Sequence, residues 1–460
     1  MPTKVPPERP SPRSALLHRD SHFIPKKAVG GQGCYIFLED GTKFLDSTGG
    51  AAVSCLGHGN KQVQAAIQKQ ADQISYCHTA FFGTDVSEEL AQFLVDSTGG
   101  KLSKVFIVSS GSEAVEAALK LARQYFLELP APQPQRTRFI SRLPSYHGTT
   151  LGALGVGGHV LRREPFEPLL PVTTSHVSPC FAYRGKSDGE SDADYVSRLA
   201  VELDEEFQRV GPENVCAFIA EPVVGAALGC VPAVPGYFPA MKAVCEKYGA
   251  LFILDEIMSG MGRCGTLHAW EQENVVPDIQ TIGKGLGGGY APVSGILIND
   301  SIVQVLDKGT GVFRHGQTYQ GHPISCAAAL AVQKIVHEQG LLANVRAMGA
   351  YLESHLRERL GDHPHVGDIR GKGLFWGLEL VKDKRSKEPF ETKDRLAFLI
   401  QEKGLQHGVS LYSSPGTVDG IRGDHVIIAP PFIVSKEEID IIVDTTAVVL
   451  EEVLAGLASS

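Results

Sequence analysis

The sequence predicts an α/β protein. A large domain on a mostly parallel, helix-covered sheet is joined to a smaller α+β domain built from the N- and C-terminal parts. Three observations carry this expectation. Short apolar runs recur through the middle of the chain: "KVFIVSS" (104–110), "VCAFIAE" (215–221), "LFILD" (251–255), "IQTIG" (279–283) and "GILIND" (295–300). Segments with apolar residues at helical spacing separate them, and strands alternating with helices make parallel sheets buried on both faces. From about Gly367 the pattern restarts with "GKGLFWGLELV" and "DHVIIAPPFIV", then an amphipathic helix near 436–457. A chain of 460 residues with 43% hydrophobic content has material for a sizeable core and exceeds one ordinary domain.

In chain order, residues 1–16 read as a flexible tail, because "MPTKVPPERPSP" is proline-rich and lacks an apolar signal core. Residues 17–70 form the N-terminal part of the small domain. Within it "YIFLEDGTKFLD" alternates around Asp40-Gly41, a dipeptide suited to a tight primed hairpin turn. Residues 71–330 make the large domain. Ala118, Leu121, Ala122, Tyr125, Phe126 and Leu129 share one helical face there, as do Val196, Leu199, Ala200, Leu203, Phe207 and Val210. The stretches 129–135, 183–195 and 382–389 are polar or proline-rich and read as surface loops. Residues 331–460 complete the small domain, packed with the N-terminal hairpin.

Charge and cysteine content remove several classes of function. Net charge is −9 with both signs interspersed, so no basic footprint for nucleic acid exists. Nine cysteines without a Cys-x-x-Cys pair read as reduced thiols, against a disulfide framework or a metal site. No apolar run is long enough to span a bilayer. Cytoplasm is the expected compartment, with a short organellar presequence, for which Arg9, Arg13 and Arg19 would count, as the less favoured alternative.

Open parallel sheets bind ligands beyond the carboxyl ends of their strands. The apolar runs end on Ser109-Ser110-Gly111-Ser112, Glu221, Asp255 and Gly283-Lys284-Gly285. Ser110 and Glu113 have capping-box spacing, and Gly111 lets a ligand approach the backbone. Free N–H groups and the positive helix end there suit a phosphate, though an ordinary capped helix would read the same. Gly283, Gly285 and Gly288 satisfy G-x-G-x-x-G. That motif must open a helix, however, and here Tyr290-Ala291-Pro292 leads back to a strand. Gly285 follows the lysine where a P-loop requires Ser or Thr. A partly desolvated lysine on such a turn can instead form a Schiff base with an aldehyde. Pyridoxal phosphate needs a lysine for its aldehyde, an anion cradle for its phosphate and an acid beside its ring nitrogen. Lys284, Ser110-Gly111-Ser112 and Asp255 supply the three.

With these residues in view, the chain resembles the class III aminotransferases of pyridoxal-phosphate fold type I, on the ω-transaminase-like branch. The matching stretches include "GGAAVSCLGHGN", "SSGSEA", "YHG", "AEPVVG", "DEIMSGMGRCG", "PDIQTIGKGLGGGYAP", "GQTYQGHP", "IRGKGLFWGLEL" and "APPF". The resemblance implies a seven-stranded, mostly parallel sheet. It implies that Tyr146 and Ile257 lie against the two faces of the cofactor ring, and that Glu221 sits near Asp255. It further implies a homodimer in which Thr318 reaches the neighbouring subunit's phosphate. Ornithine- and GABA-type members carry Gln where this chain has Met258, which leans away from those substrates. Arg263-Cys264-Gly265 replaces the usual Arg-Thr-Gly.

Substrate residues are read from chemistry. A transaminase holds a carboxylate in at least one half-reaction, and arginine does so with a bidentate fork. Arg422 occupies a glycine-rich loop where some ω-transaminases carry such an arginine. A surface pair with Asp419 or Asp424 is its ordinary alternative. Phe81 and Phe82 are candidates to line an apolar pocket. The expected reaction moves an amino group from an amino acid or amine, such as an ω-amino acid, to a 2-oxo acid such as pyruvate or 2-oxoglutarate. Lys284 and Asp255 are the catalytic pair. The competing readings are a same-fold aminomutase, decarboxylating transaminase or phospholyase and, more distantly, a nucleotide-binding protein.

Overall fold

In the computed structural model, residues 14–20, 24–171 and 173–458 are described. Most of the expected tail over 1–16, including Arg9 and Arg13, lies outside the described residues. The first sheet is antiparallel, with strands β1 (Ala28–Gln32), β2 (Tyr35–Leu38) and β3 (Lys43–Leu45) in sequence order. Its β2–β3 hairpin falls where Asp40-Gly41 predicts one, but the turn is not primed. Only Gly41 has a positive φ, the Gly41 N–H donates to the Leu38 carbonyl at 3.0 Å, and Leu38 pairs with Thr42 at 2.9 Å. That is an ordinary turn closed by a left-handed glycine bulge.

The large sheet follows. Its strands are β4 (Lys104–Val108), β5 (Arg138–Arg142), β6 (Thr174–Val177) and β7 (Val215–Ala220). After a short hairpin of β8 (Val223–Val224) and β9 (Val231–Pro232) come β10 (Leu251–Asp255), β11 (Ile279–Ile282) and β12 (Ser294–Ile298). The seven strands lie in the order β4-β12-β11-β10-β7-β5-β6. The five from β11 to β6 are parallel, and β12 runs antiparallel to both β11 and β4. Every residue of β7, β10, β11 and β12 is buried, as unbroken apolar runs require when helices cover both faces. Helix Gly111–Glu128 lays Ala114, Ala117, Ala118, Leu121 and Ala122 on one side, where small side chains allow a close approach. Helices Asp192–Val210 and Tyr237–Lys247 cover the other side through Leu199, Leu203, Phe207, Phe238 and Met241.

A third sheet holds β13 (Val366–Lys372), β14 (Phe375–Leu380), β15 (Tyr412–Pro415) and β16 (Asp424–Ile428), all antiparallel, in the order β13-β14-β16-β15. Helices Leu341–Leu360 and Lys436–Ala458 pack on it. The N-terminal sheet joins this region directly: Leu45 bridges Val409, with N–H to carbonyl distances of 2.9 Å to Gly408 and 3.1 Å from Ser410. Among the described residues no helix is long and apolar enough to cross a membrane, and no cluster of His, Cys, Asp and Glu is arranged to hold a metal ion.

Two strands are invisible as apolar runs. Strand β5, "RFISR", ends in Arg142, which is buried over Tyr237 and Phe238 and donates to the Glu221 carbonyl. Strand β6, "TSHV", is a polar edge strand whose His176 reaches the Gly157 carbonyl at 3.2 Å. The surface loop expected over 183–195 is also shorter than its composition suggests. Ala182–Gly185 is a helical turn, and a long helix begins at Asp192, capped by the Ser191 hydroxyl accepting from the Asp194 N–H at 3.1 Å. Asp192 and Asp194 are first-turn acids facing the positive helix end. Tyr195 is buried, its hydroxyl accepting from the Phe181 N–H at 2.9 Å.

Candidate active site

Three strand ends and one helix start meet in a single cleft lined by Ser110, Gly111, Ser112, Tyr146, His147, Gly148, Glu221, Asp255, Ile257, Met258 and Lys284. Asp255, the last residue of β10, is buried at its floor. Its Oδ1 accepts from the Thr281 hydroxyl at 2.9 Å and from the Ile257 N–H at 3.1 Å. Its Oδ2 faces His147 Nδ1 at 2.7 Å. A carboxylate can only accept here, so Nδ1 carries the proton, and the imidazole is held as a positioning partner of the acid. His147 Nε2 is buried with no hydrogen-bond partner in the structure. Its neighbour in "YHG", Tyr146, drew the sequence reading, and nothing in the local sequence shows that His147 meets a strand end 108 residues away.

Lys284 follows β11 on a single 3-10 turn, Lys284–Leu286. Its φ is +43°, a left-handed backbone that a non-glycine residue holds at a cost of about 1–3 kcal/mol. Its amine makes no ion pair and no side-chain hydrogen bond among the described residues. Burial holds the ammonium below the ordinary lysine range, against the pull of Asp255 and then Glu221, which favour the charged form. Glu221 directly follows β7 and is buried. Its carboxylate accepts from the Tyr146 N–H at 3.0 Å and the Gly225 N–H at 3.2 Å. Burial pushes its pKa up, and the nearby Asp255 charge adds to the rise against the opposing His147.

The helix start is built as the sequence suggests, with one change. The Ser110 hydroxyl accepts from the Glu113 N–H at 3.3 Å, but the Glu113 carboxylate reaches back to the Ser109 N–H at 3.0 Å, not to that of Ser110. The Ser112 hydroxyl accepts from the Thr149 N–H at 2.9 Å. The space beside it exists because residue 148 is glycine: φ is +140°, and a Cβ there would lie 2.6 Å from Ser112 Oγ. A Cβ on Gly111 would likewise press on Ile257 at 3.0 Å. An open backbone cradle, an unpartnered amine, a buried acid with spare lone pairs and an orphaned imidazole nitrogen fit pyridoxal phosphate. Lys284 would take its aldehyde, Ser110-Gly111-Ser112 its phosphate and Asp255 its ring nitrogen.

The other expected residues divide. Tyr146 and Ile257 line the cleft. Thr318 is exposed and away from it, its carbonyl accepting from the Tyr76 hydroxyl at 3.1 Å. Phe81 and Phe82, 77% and 66% exposed, do not line it either. Arg422 is exposed and donates through Nε to Asp419 at 2.7 Å, the surface pairing that is its ordinary alternative. Arg162, unremarked in the sequence, stands over Tyr146 with its guanidinium carbon 4.7 Å from the ring centroid.

The sequence matches the family described as aminotransferase class-III over residues 17–450. The chain belongs to the class-III aminotransferases. An aminotransferase of Gibberella zeae is 52% identical to this one over 421 residues, 91% of this chain and 82% of that protein. An uncharacterised aminotransferase of Schizosaccharomyces pombe is 48% identical over 445 residues, 97% of this chain and 96% of that protein. Among solved structures, the ω-transaminase of Pseudomonas jessenii in complex with PMP matches this aminotransferase with a TM-score of 0.88 at 32% identity, covering 94% of both chains. Amino-group transfer is therefore the reaction class. The sheet, with its antiparallel strand next to the edge, is that of the fold type I transaminases, and family membership implies pyridoxal phosphate.

Proposed function

We propose that the enzyme moves an amino group from an amino acid or amine, with ω-amino acids and related donors in its range, to a 2-oxo acid such as pyruvate or 2-oxoglutarate. One observation carries the reading: the unpartnered Lys284 amine shares a cleft with Asp255, which three donors hold in place at the end of β10. Bound pyridoxal phosphate supplies an electron sink for the carbanion formed at the donor carbon. Lys284 holds the cofactor at rest. Freed from that task, its Nζ would take the proton from the carbon bearing the donor amine. A lysine whose ammonium is disfavoured by burial is suited to accepting that proton near neutral pH. Asp255 keeps the ring nitrogen protonated, while His147, Thr281 and the Ile257 N–H fix its carboxylate. Tyr146 and Ile257, which line the cleft, would hold the ring, and Glu221 orders the Tyr146 backbone.

The assembly in this reading is a homodimer. Tyr76, Phe81, Phe82, Val312 and Tyr319 are exposed, and Tyr76 holds the Thr318-Tyr319 segment through its hydroxyl bond to the Thr318 carbonyl and a 5.8 Å edge contact with Tyr319. Aromatic surface of this extent supports burial against a second copy, which would bring Thr318 to the partner's phosphate. The Leu45–Val409 bridge supports assigning 17–70 and 331–460 to one small domain, with 71–330 as the cofactor domain. Nine free cysteines, all buried but Cys77, support a reducing compartment such as the cytoplasm.

Two measurements test the reaction. Holoenzyme treated with borohydride should lose its visible absorbance and yield a label on Lys284 by mass spectrometry. A donor amine should convert the bound cofactor to its amino form, and a 2-oxo acid should restore it. A label on another side chain, full turnover by a Lys284→Ala variant, or product formed without any acceptor would overturn the reading.

A further inference from the structure

We propose that Arg162 receives the carboxylate of the amino donor and of the 2-oxo acid acceptor, and so selects substrates that carry one; the assignment rests on the transaminase reading above. Arg162 is half-buried on the single turn Val160–Arg163. Its guanidinium lies over the ring of Tyr146, 4.7 Å from the centroid, and Tyr146 is a wall of the cleft that holds Lys284. Stacking uses the face of the guanidinium. It leaves the N–H edge, the part that forks onto a carboxylate, pointing away from the ring.

Its lack of a partner is specific. The next residue, Arg163, forks onto Glu167 at 2.9 and 3.3 Å and donates to the Gly155 carbonyl at 2.8 Å. Among the described residues Arg162 makes no ion pair and no side-chain hydrogen bond. Its charge nevertheless reaches the reacting amine: after burial, and against Asp255 and Glu221, it too disfavours the Lys284 ammonium.

The rest of the cleft leaves a substrate carboxylate few places to go. Asp255 and Glu221 repel it from the floor, and the Ser110-Gly111-Ser112 cradle suits the cofactor's phosphate. Lys284 is the one lysine or arginine in the cleft lining, and it is committed to the cofactor, while the imidazole of His147 is held on Asp255 at 2.7 Å. The charge of Arg19 also reaches Tyr146, but that side chain is exposed and screened by water. Arg422 is tied to Asp419. Its loop abuts the Arg162 turn, since a Cβ on Gly420 would lie 2.4 Å from Val160 Cγ2. Because Arg162 is half-solvated, a donor lacking a carboxylate is still accepted, only more weakly.

The test uses holoenzyme and follows each half-reaction separately by cofactor absorbance. Alanine is compared with 1-phenylethylamine as donor, and pyruvate with a simple aldehyde as acceptor. Arg162→Gln should lower kcat/KM for alanine and pyruvate by about 10- to 100-fold, the value of a charge-assisted hydrogen bond. It should leave the two substrates without a carboxylate and the resting spectrum little changed, and Arg162→Lys should recover part of the loss. An equal fall for substrates with and without a carboxylate would reduce Arg162 to a support for Tyr146 and overturn the assignment. A carboxylate-selective loss in Arg422→Gln but not in Arg162→Gln would overturn it in favour of the other arginine. Absence of any donor-driven conversion in the unaltered enzyme would instead overturn the transaminase reading, and this assignment with it.

Discussion

Asp255 has a charge to supply and a geometry to keep, and different residues provide the two. Asp255→Asn keeps the shape and removes the charge that holds the ring nitrogen protonated. The donor half-reaction should slow by on the order of 100- to 1,000-fold, measured by stopped-flow absorbance. Thr281→Val removes one neutral donor at 2.9 Å and leaves the carboxylate in place. It should cost about 1 kcal/mol, a fivefold slowing in the same assay. Legibility at this scale followed the chain. Asp255 and Lys284 could be read because an acid or an amine ending an apolar run is anomalous within a few residues. His147 and Arg162 could not, because their partners lie on other elements and their neighbours in sequence are unexceptional.

At the scale of elements, the helix start at Gly111 and the turn at Gly148 form one device. Ser110→Ala removes the cap on helix Gly111–Glu128 and should cost about 1 kcal/mol, read as a lower melting temperature of the apoenzyme. Gly148→Ala acts on the cradle. With φ at +140° and a Cβ 2.6 Å from Ser112 Oγ, either the turn or the serine must move. Cofactor affinity should fall more than about tenfold in a fluorescence titration, beyond any change in stability. The central strands were legible because both faces are buried and the runs are continuous. Strands β5 and β6 were not, since Arg142 and His176 find backbone carbonyls inside the fold and their polarity erases the apolar signal.

For the whole molecule, three histidines set a pH dependence, His268 and His425 buried and His159 half-buried. Burial holds His159 and His268 down to about 4 and His425 to about 3. The unfolded imidazoles titrate near 6.5. Below that pH the unfolded chain takes up protons that the fold refuses. The stability these groups contribute is complete above pH ~6.5 and is lost as pH falls toward their folded values, by about 1.4 kcal/mol per pH unit for each histidine. Glu256, raised to about 8, and Asp424, raised to about 6, act in the opposite sense, because the fold keeps their protons where the unfolded chain releases them. A difference between variants isolates the histidine contribution. His425→Gln should lose less melting temperature than the unaltered enzyme between pH 7 and pH 5; equal losses would show that His425 is not held neutral.

The sequence by itself determined the class of the fold, where its central strands lie along the chain, the family and the three residue types its cofactor needs. Each of those is written in short-range patterns: burial on both faces, a capped helix start, a charged residue closing an oily run. Only the tertiary structure decided what holds Asp255, that Arg162 stacks on Tyr146, and that Thr318, Phe81 and Phe82 are exposed. Those facts depend on which distant elements meet, and contact between distant elements leaves no trace in the spacing of neighbouring residues.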